Sequence, residues 1–249
     1  MLKNKFLSVL LLGLCFSNTT LADDSTGFDF TLQRYVYKES DSGGISVDLK
    51  NGNNSSYLME SWIANTDNES LLPKENKETE IVPFVILPPL KMLEANTQTS
   101  WNIRRTSNNI NKEAIPDDRE SLFWIGIRGI PNEDKNKKEN SVQLNIIPNF
   151  YFKLLYRPKK IENLKIDKLA KELKVTRKNN TLILENPTPF YFTFEYLKVA
   201  GTNIKNGDRE ITLSPFSTKE VALPNSNTGK IEWRFTNEYL MGLDKESSN

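Results

Sequence analysis

The chain has 249 residues, with 33 Lys and Arg against 32 Asp and Glu, no histidine and one cysteine. Its near-neutral balance leaves no global basic field to attract nucleic acid. Without histidine, Ser-His and Cys-His nucleophile systems and most zinc sites are unavailable, so catalysis would have to rest on carboxylate, lysine or tyrosine.

Lys3 and Lys5 open the chain, Phe6 to Phe16 is apolar, and Thr20-Leu21-Ala22 precedes Asp23-Asp24. That is the order of a secretory signal peptide cleaved after Ala22, and its apolar run is too short to cross a bilayer. Cys15 as an acylated residue is disfavoured by the bulky Leu14 before it. Losing residues 1–22 removes the cysteine, so the mature chain is expected to be held by its core alone.

Short runs of period-two alternation follow, separated by Asn, Gly, Pro and Ser clusters. They fall at Phe28–Tyr37, Ile45–Leu49, Tyr57–Ala64, Ile81–Leu87, Thr99–Arg104, Leu122–Ile130 and Val142–Tyr156. Further runs are Leu182–Glu185, Phe190–Val199, Glu210–Leu213, Thr218–Leu223 and Lys230–Asn237. Strands at such spacing predict an all-β protein. One short helix is expected within Ile161–Leu173, where Leu164, Leu169 and Leu173 recur. Pro158 and the charged Lys159-Lys160 end a long apolar strand, which places a domain boundary there. The expected organisation is two immunoglobulin-like β-sandwich domains, residues 23–157 and 158–249. Between Leu122–Ile130 and Val142–Tyr156 lies a wholly polar loop, residues 132–141.

Val142, Leu144 and Ile146 alternate with Gln143 and Asn145. The pattern suits a half-buried strand on its own core. It is also what a strand lent to a partner sandwich that lacks one needs, where backbone groups pair and alternate side chains fill the groove. Pro148 has no N–H and is confined to edges or bulges, which favours an edge strand. Lys153 has the opposite parity, within an apolar stretch; it either snorkels to solvent or awaits an anion.

Asp117-Asp118-Arg119-Glu120-Ser121-Leu122-Phe123-Trp124, with Ile130-Pro131, resembles the signature of periplasmic chaperones of the chaperone–usher pathway. The resemblance continues in Pro83-Phe84, Pro88-Pro89 with Leu93-Glu94, and Lys153-Leu154-Leu155-Tyr156-Arg157-Pro158. In the second half it covers Glu185-Asn186-Pro187-Thr188-Pro189-Phe190-Tyr191, Leu213-Ser214-Pro215-Phe216 and Thr236-Asn237-Glu238-Tyr239. The matches lie in order across nearly all of residues 28–240. The resemblance implies two sandwiches at an angle with a cleft between them, in a periplasmic protein with no enzymatic turnover and no cofactor or metal. It implies pilin subunits as clients, an outer-membrane usher as a second partner, and donor-strand complementation as the mechanism.

By the same resemblance, Arg34 and Lys153 would bind the C-terminal carboxylate of the pilin, a planar fork and a point charge fixing the register of the docked strand. The donor strand would carry Val142, Leu144 and Ile146, with Pro148 where the family usually has a third apolar side chain. Glu120, Arg157 and Glu238 would form a charge cluster across the domain interface, Glu238 standing where Asp is more usual. The lack of a cysteine beside the donor strand matches the short-loop subclass. Ser56, before Tyr57-Leu58, replaces a proline used in usher control. An exposed edge strand also offers the free protein a way to pair with itself.

Two other functional classes fit parts of the sequence. A secreted carbohydrate-binding adhesin or accessory sandwich could use an exposed Trp62 or Trp101 for sugar stacking, although the alternation around Trp62 points it to the core. A carboxylate glycosidase needs two paired acids, and nothing in the sequence pairs two.

Overall fold

A computed structural model describes residues 27–74, 82–106, 115–132, 146–205, 210–223 and 229–248. The expected signal peptide, Val142, Leu144 and the polar loop after Asn132 lie outside the described residues.

The first sandwich is built from β1 (Phe28–Phe30), β2 (Arg34–Lys38), β3 (Ile45–Asn51), β4 (Tyr57–Ala64), β5 (Phe84–Leu87), β6 (Leu90–Leu93), β7 (Gln98–Arg105), β8 (Ser121–Pro131) and β9 (Asn149–Arg157). One sheet has the order β1-β3-β7-β5 and the other β2-β9-β8-β4-β6. Alternation decides which side chains enter the core between them. In β3, Val47 and Leu49 are fully buried while Ser46 and Lys50 face solvent. In β9, Phe152, Leu154 and Tyr156 join that core, and Tyr151 and Lys153 point to the other face.

The expected single strand at Phe28–Tyr37 is two strands in two sheets. β1 pairs antiparallel with β3, whereas β2 pairs parallel with β9, so the chain crosses between sheets at Thr31–Gln33. The expected strand Val142–Tyr156 is seen from Asn149 onward. β6 was not expected; it follows β5 through a cis Leu87–Pro88 bond and moves the chain to the opposite sheet.

The second sandwich starts with a short turn of helix, α1 (Ile166–Leu169), continued by a 3-10 turn at Ala170–Glu172. Leu173 is buried after it, while Leu164 is exposed, so only part of the expected helix forms. There follow β10 (Lys174–Lys178), β11 (Thr181–Asn186), β12 (Phe192–Val199), β13 (Thr202–Asn203), β14 (Thr212–Leu213), β15 (Ser217–Ala222), β16 (Ile231–Thr236) and β17 (Gly242–Ser248). Its sheets run β10-β11-β15 and β13-β12-β16-β17, with β14 on β12. A separate core includes Leu182, Leu184, Phe192, Trp233 and Phe235. The fold is thus the expected pair of all-β sandwiches. β10, β13 and β17 escaped sequence reading because their residues are mostly charged, polar or small, as edge positions allow.

Of the two tryptophans weighed for sugar stacking, Trp62 does not take the core place expected of it. Trp101 is buried in the first core, 1 % exposed. Trp62 has the parity of Leu58 and Glu60 and lies on the outer face of β4, edge-on to Tyr151 and beneath the Arg128 guanidinium. Its indole occupies the space above Gly126, the neighbouring position on β8.

Candidate functional site between the sandwiches

The parallel pairing of β2 with β9 sets Arg34 directly opposite Lys153. Register partners project to the same face of a sheet, so the two cations stand side by side where the first sandwich meets the second. Arg34 is 7 % exposed. It donates to the hydroxyl of Thr193 on β12 at 3.2 Å and to the backbone carbonyl of Asn237 at 3.3 Å. Lys153 donates to the hydroxyl of Thr212 on β14 at 3.2 Å, and the two threonine hydroxyls are themselves 3.0 Å apart. Thr193 and Thr212 are register partners in the second sandwich. A pair of cations on one domain therefore faces a pair of hydroxyls on the other.

Burial shifts both cations. Lys153 is pushed down to about 8, first by desolvation and then by the Arg34 charge, with Glu210 opposing. Desolvation lowers Arg34 as well, against the pull of Glu210, Glu120 and Glu238. Arg34 offers five N–H donors and Lys153 three, so their bonds to the second sandwich leave donors for an anion. Two desolvated cations with spare donors have the chemistry to hold a carboxylate or similar group.

A second cluster sits four residues further along β9. Arg157, at the end of β9, donates from Nε at 3.0 Å and Nη2 at 2.8 Å to the same Glu120 oxygen. Its Nη1 reaches Glu238 of the second sandwich at 3.5 Å, and its guanidinium lies 4.8 Å over the Phe190 ring. The other Glu120 oxygen accepts the Tyr191 amide at 2.9 Å, while the Glu120 amide donates to the Pro189 carbonyl. Burial pushes the Glu120 carboxyl up; Arg157 and the Tyr191 amide pull it back.

The Asn186–Tyr191 motif explains how the second sandwich presents those backbone groups. Asn186 is buried, and its amide donates to the Phe190 and Ser214 carbonyls while its oxygen accepts from the Thr188 amide and hydroxyl. With Pro187 and Pro189 limiting the backbone, this turn holds Pro189 and Tyr191 toward Glu120.

Of the donor-strand residues, Ile146 and Pro148 are described. Ile146 is 69 % exposed and Ile147 48 %. The Pro148 carbonyl accepts from the Gly129 amide at 3.0 Å, so Pro148 flanks β8 just before β9 begins. β2 covers only Lys153–Arg157 of β9. Asn149–Phe152 therefore have β8 on one side and, among the described residues, no strand on the other. The free edge runs toward Arg34 and Lys153.

Ser56 donates to Glu94 at 2.7 Å on the surface beside β4. Sequence reading missed Thr193, Thr212 and Glu210. Nothing in a strand sequence marks one threonine among many as facing a cation from another domain.

The chain matches the family description "Pili and flagellar-assembly chaperone, PapD N-terminal domain" over residues 27–162 and "Pili assembly chaperone PapD, C-terminal domain" over residues 168–240. It is 36 % identical over 190 residues to the chaperone protein FimC of Escherichia coli (strain K12), covering 76 % of this chain and 70 % of that protein. It is 32 % identical over 208 residues to the chaperone protein FocC of Escherichia coli, covering 83 % and 82 %. Among solved structures, the Salmonella enterica complex of the SafA pilin with the SafB chaperone matches at a TM-score of 0.71 and 27 % identity, over 91 % of this chain and 98 % of that one. Both sandwiches fall within one family's two domains, and the chain belongs to the PapD-like chaperones of pilus assembly.

Proposed function

We propose that the protein holds pilin subunits in the periplasm by donor-strand complementation and passes them to an outer-membrane usher. The observation that carries this reading is the pairing of Arg34 with Lys153 at the end of an uncovered strand edge. A subunit strand laid along Asn149–Phe152 and the segment before it gains main-chain hydrogen bonds. Its C-terminal carboxylate reaches the two cations, which fixes its register. Ile146, with Val142 and Leu144, fills the subunit's incomplete core; each well-buried side chain of this kind contributes about 1.5–3 kcal/mol. The likeness to a chaperone solved with a pilin supports the client class.

In this reading the protein assists folding without turnover, by supplying a missing strand until another subunit replaces it. The Glu120, Arg157 and Glu238 cluster holds the angle between the domains, whose boundary we place after Arg157. In the free protein the same edge is the surface through which two copies would pair.

The test is client binding at one salt concentration, with a pilin ending at its natural C-terminus and the same pilin extended by several residues. The native form should bind at least a hundredfold more tightly. Equal affinity would rule out carboxylate anchoring. Ile146→Asp tests the donor strand in parallel: capture should fall while circular dichroism is unchanged. An unfolded variant would assign Ile146 to the protein's own core.

A further inference from the structure

The cation pair already has an acid beside it. Glu210, on the second sandwich just before β14, places a carboxylate oxygen 3.9 Å from the Lys153 amine. That is too long for a hydrogen bond but well within the range of a Coulombic pair. The Glu210 side chain is 67 % exposed and the Lys153 side chain 18 % exposed, so the acid stands at the rim and the amine inside it. Glu210 is also the largest of the anionic influences on Arg34. The other two acids acting on Arg34, Glu120 and Glu238, both pair with Arg157. Among the described residues, Glu210 pairs with Lys153.

We propose that Glu210 is a resident counter-anion of the cation pair, an affinity-setting residue against which a client's C-terminal carboxylate must compete. The inference rests on the carboxylate-anchoring reading above. Without a client, two neighbouring buried cations repel one another, and Glu210 offsets part of that repulsion. An arriving carboxylate can accept from Arg34 and Lys153 together, which the rim position of Glu210 does not allow. Once it is bound, two anions share one lysine and repel across a short distance. Glu210 thus stabilises the empty site more than the filled one, and by linkage it lowers client affinity by the same factor. Because Glu210 is exposed, that factor is small, about three- to fivefold. A weak brake of this kind suits a carrier that must release its client, since most affinity tuning acts on the rate of release.

The experiment uses the full mature chain and a fluorescent synthetic peptide of alternating apolar residues, made with a free C-terminal carboxylate and as the C-terminal amide. Both are titrated against the unaltered protein, Glu210→Gln and Glu210→Ala at pH 6.5 and low salt, below the Lys153 value of about 8 in the unaltered protein. The free acid should bind both variants about three- to fivefold more tightly than the unaltered protein, with the amide unchanged. The gain should shrink at high salt. If the unaltered protein prefers acid to amide but the variants do not widen that preference, or narrow it, Glu210 is not a competing anion and the inference falls alone. If the amide gains as much as the acid, the effect is on cleft shape, and the inference also falls. If the unaltered protein binds acid and amide equally, the anchoring reading fails and takes this inference with it.

Discussion

Arg157 sends two nitrogens to a single oxygen of Glu120, at 2.8 and 3.0 Å, with both side chains almost wholly buried. The pair belongs to the first sandwich, yet nearly everything else it touches belongs to the second: Glu238, the Phe190 ring and the Tyr191 amide. It is one of the places where the two sandwiches are joined by buried polar contacts. Removing one member leaves a buried charge without its partner, which costs about 3–5 kcal/mol. Glu120→Ala and Arg157→Ala should therefore each lower the midpoint of chemical unfolding strongly. The double variant should lose clearly less than the sum of the two, because the second change removes the orphaned charge.

The Arg34 and Lys153 variants should behave differently. Both side chains lie at the domain junction and outside either apolar core, so Arg34→Ala or Lys153→Ala is expected to fold. Client binding should fall about a hundredfold to a few thousandfold, the equivalent of about 3–5 kcal/mol for a desolvated charge pair that loses one member. Isothermal titration with a native pilin, beside a thermal melt of each variant, separates the two effects. A loss within a factor of two would mean that the cations merely neutralise the domain interface.

The pH dependence follows from Lys153. Its folded value of about 8 lies below the ordinary 10.5. A lysine lowered on folding opposes folding fully below pH 8, and the penalty is relieved as pH rises from about 8 to 10.5. Over that window the unaltered protein should gain stability relative to Lys153→Met, by at most about 3 kcal/mol. Client affinity should move the other way. A bound carboxylate wants the charged amine, so above pH 8 binding must take up a proton and should weaken by up to about tenfold per pH unit. The groups facing this amine are Arg34, Glu210 and the Thr212 hydroxyl, with Trp124 opposite on β8. Arg34→Lys should leave the direction of both trends intact.

Gly126→Ala tests the outer face of the same sheet. A Cβ at Gly126 would land inside the Trp62 indole, a rigid ring with no flexible end to yield. The indole must leave its place against Tyr151 and Arg128, at a cost of about 1–3 kcal/mol. The near-ultraviolet circular dichroism of the tryptophans should change along with the melting temperature. A second change, Trp62→Leu, should recover part of the loss by vacating the space.

Much of this protein is set by alternation along the chain. Val47 and Leu49, or Leu182 and Leu184, are core residues because a strand points every second side chain one way, and a period of two can be read without a structure. The signature around Glu120, the Asn186-Pro187-Thr188-Pro189 turn and the apolar run into Arg157 are local as well, and they suffice for fold class and family. Arg34 and Lys153 could be named together by resemblance. That they stand side by side, however, depends on β2 joining β9 in parallel after the chain crosses between sheets, a pairing of residues more than a hundred positions apart. Trp62 and Trp101 sit in similar alternating runs, and only the direction of each strand's inward face decides that Trp101 is core and Trp62 is not. Thr193, Thr212 and Glu210 gain their part in the site solely from the packing of one sandwich against the other. Electrostatic roles of that kind depend on distance and burial across a domain boundary, and a linear sequence encodes neither.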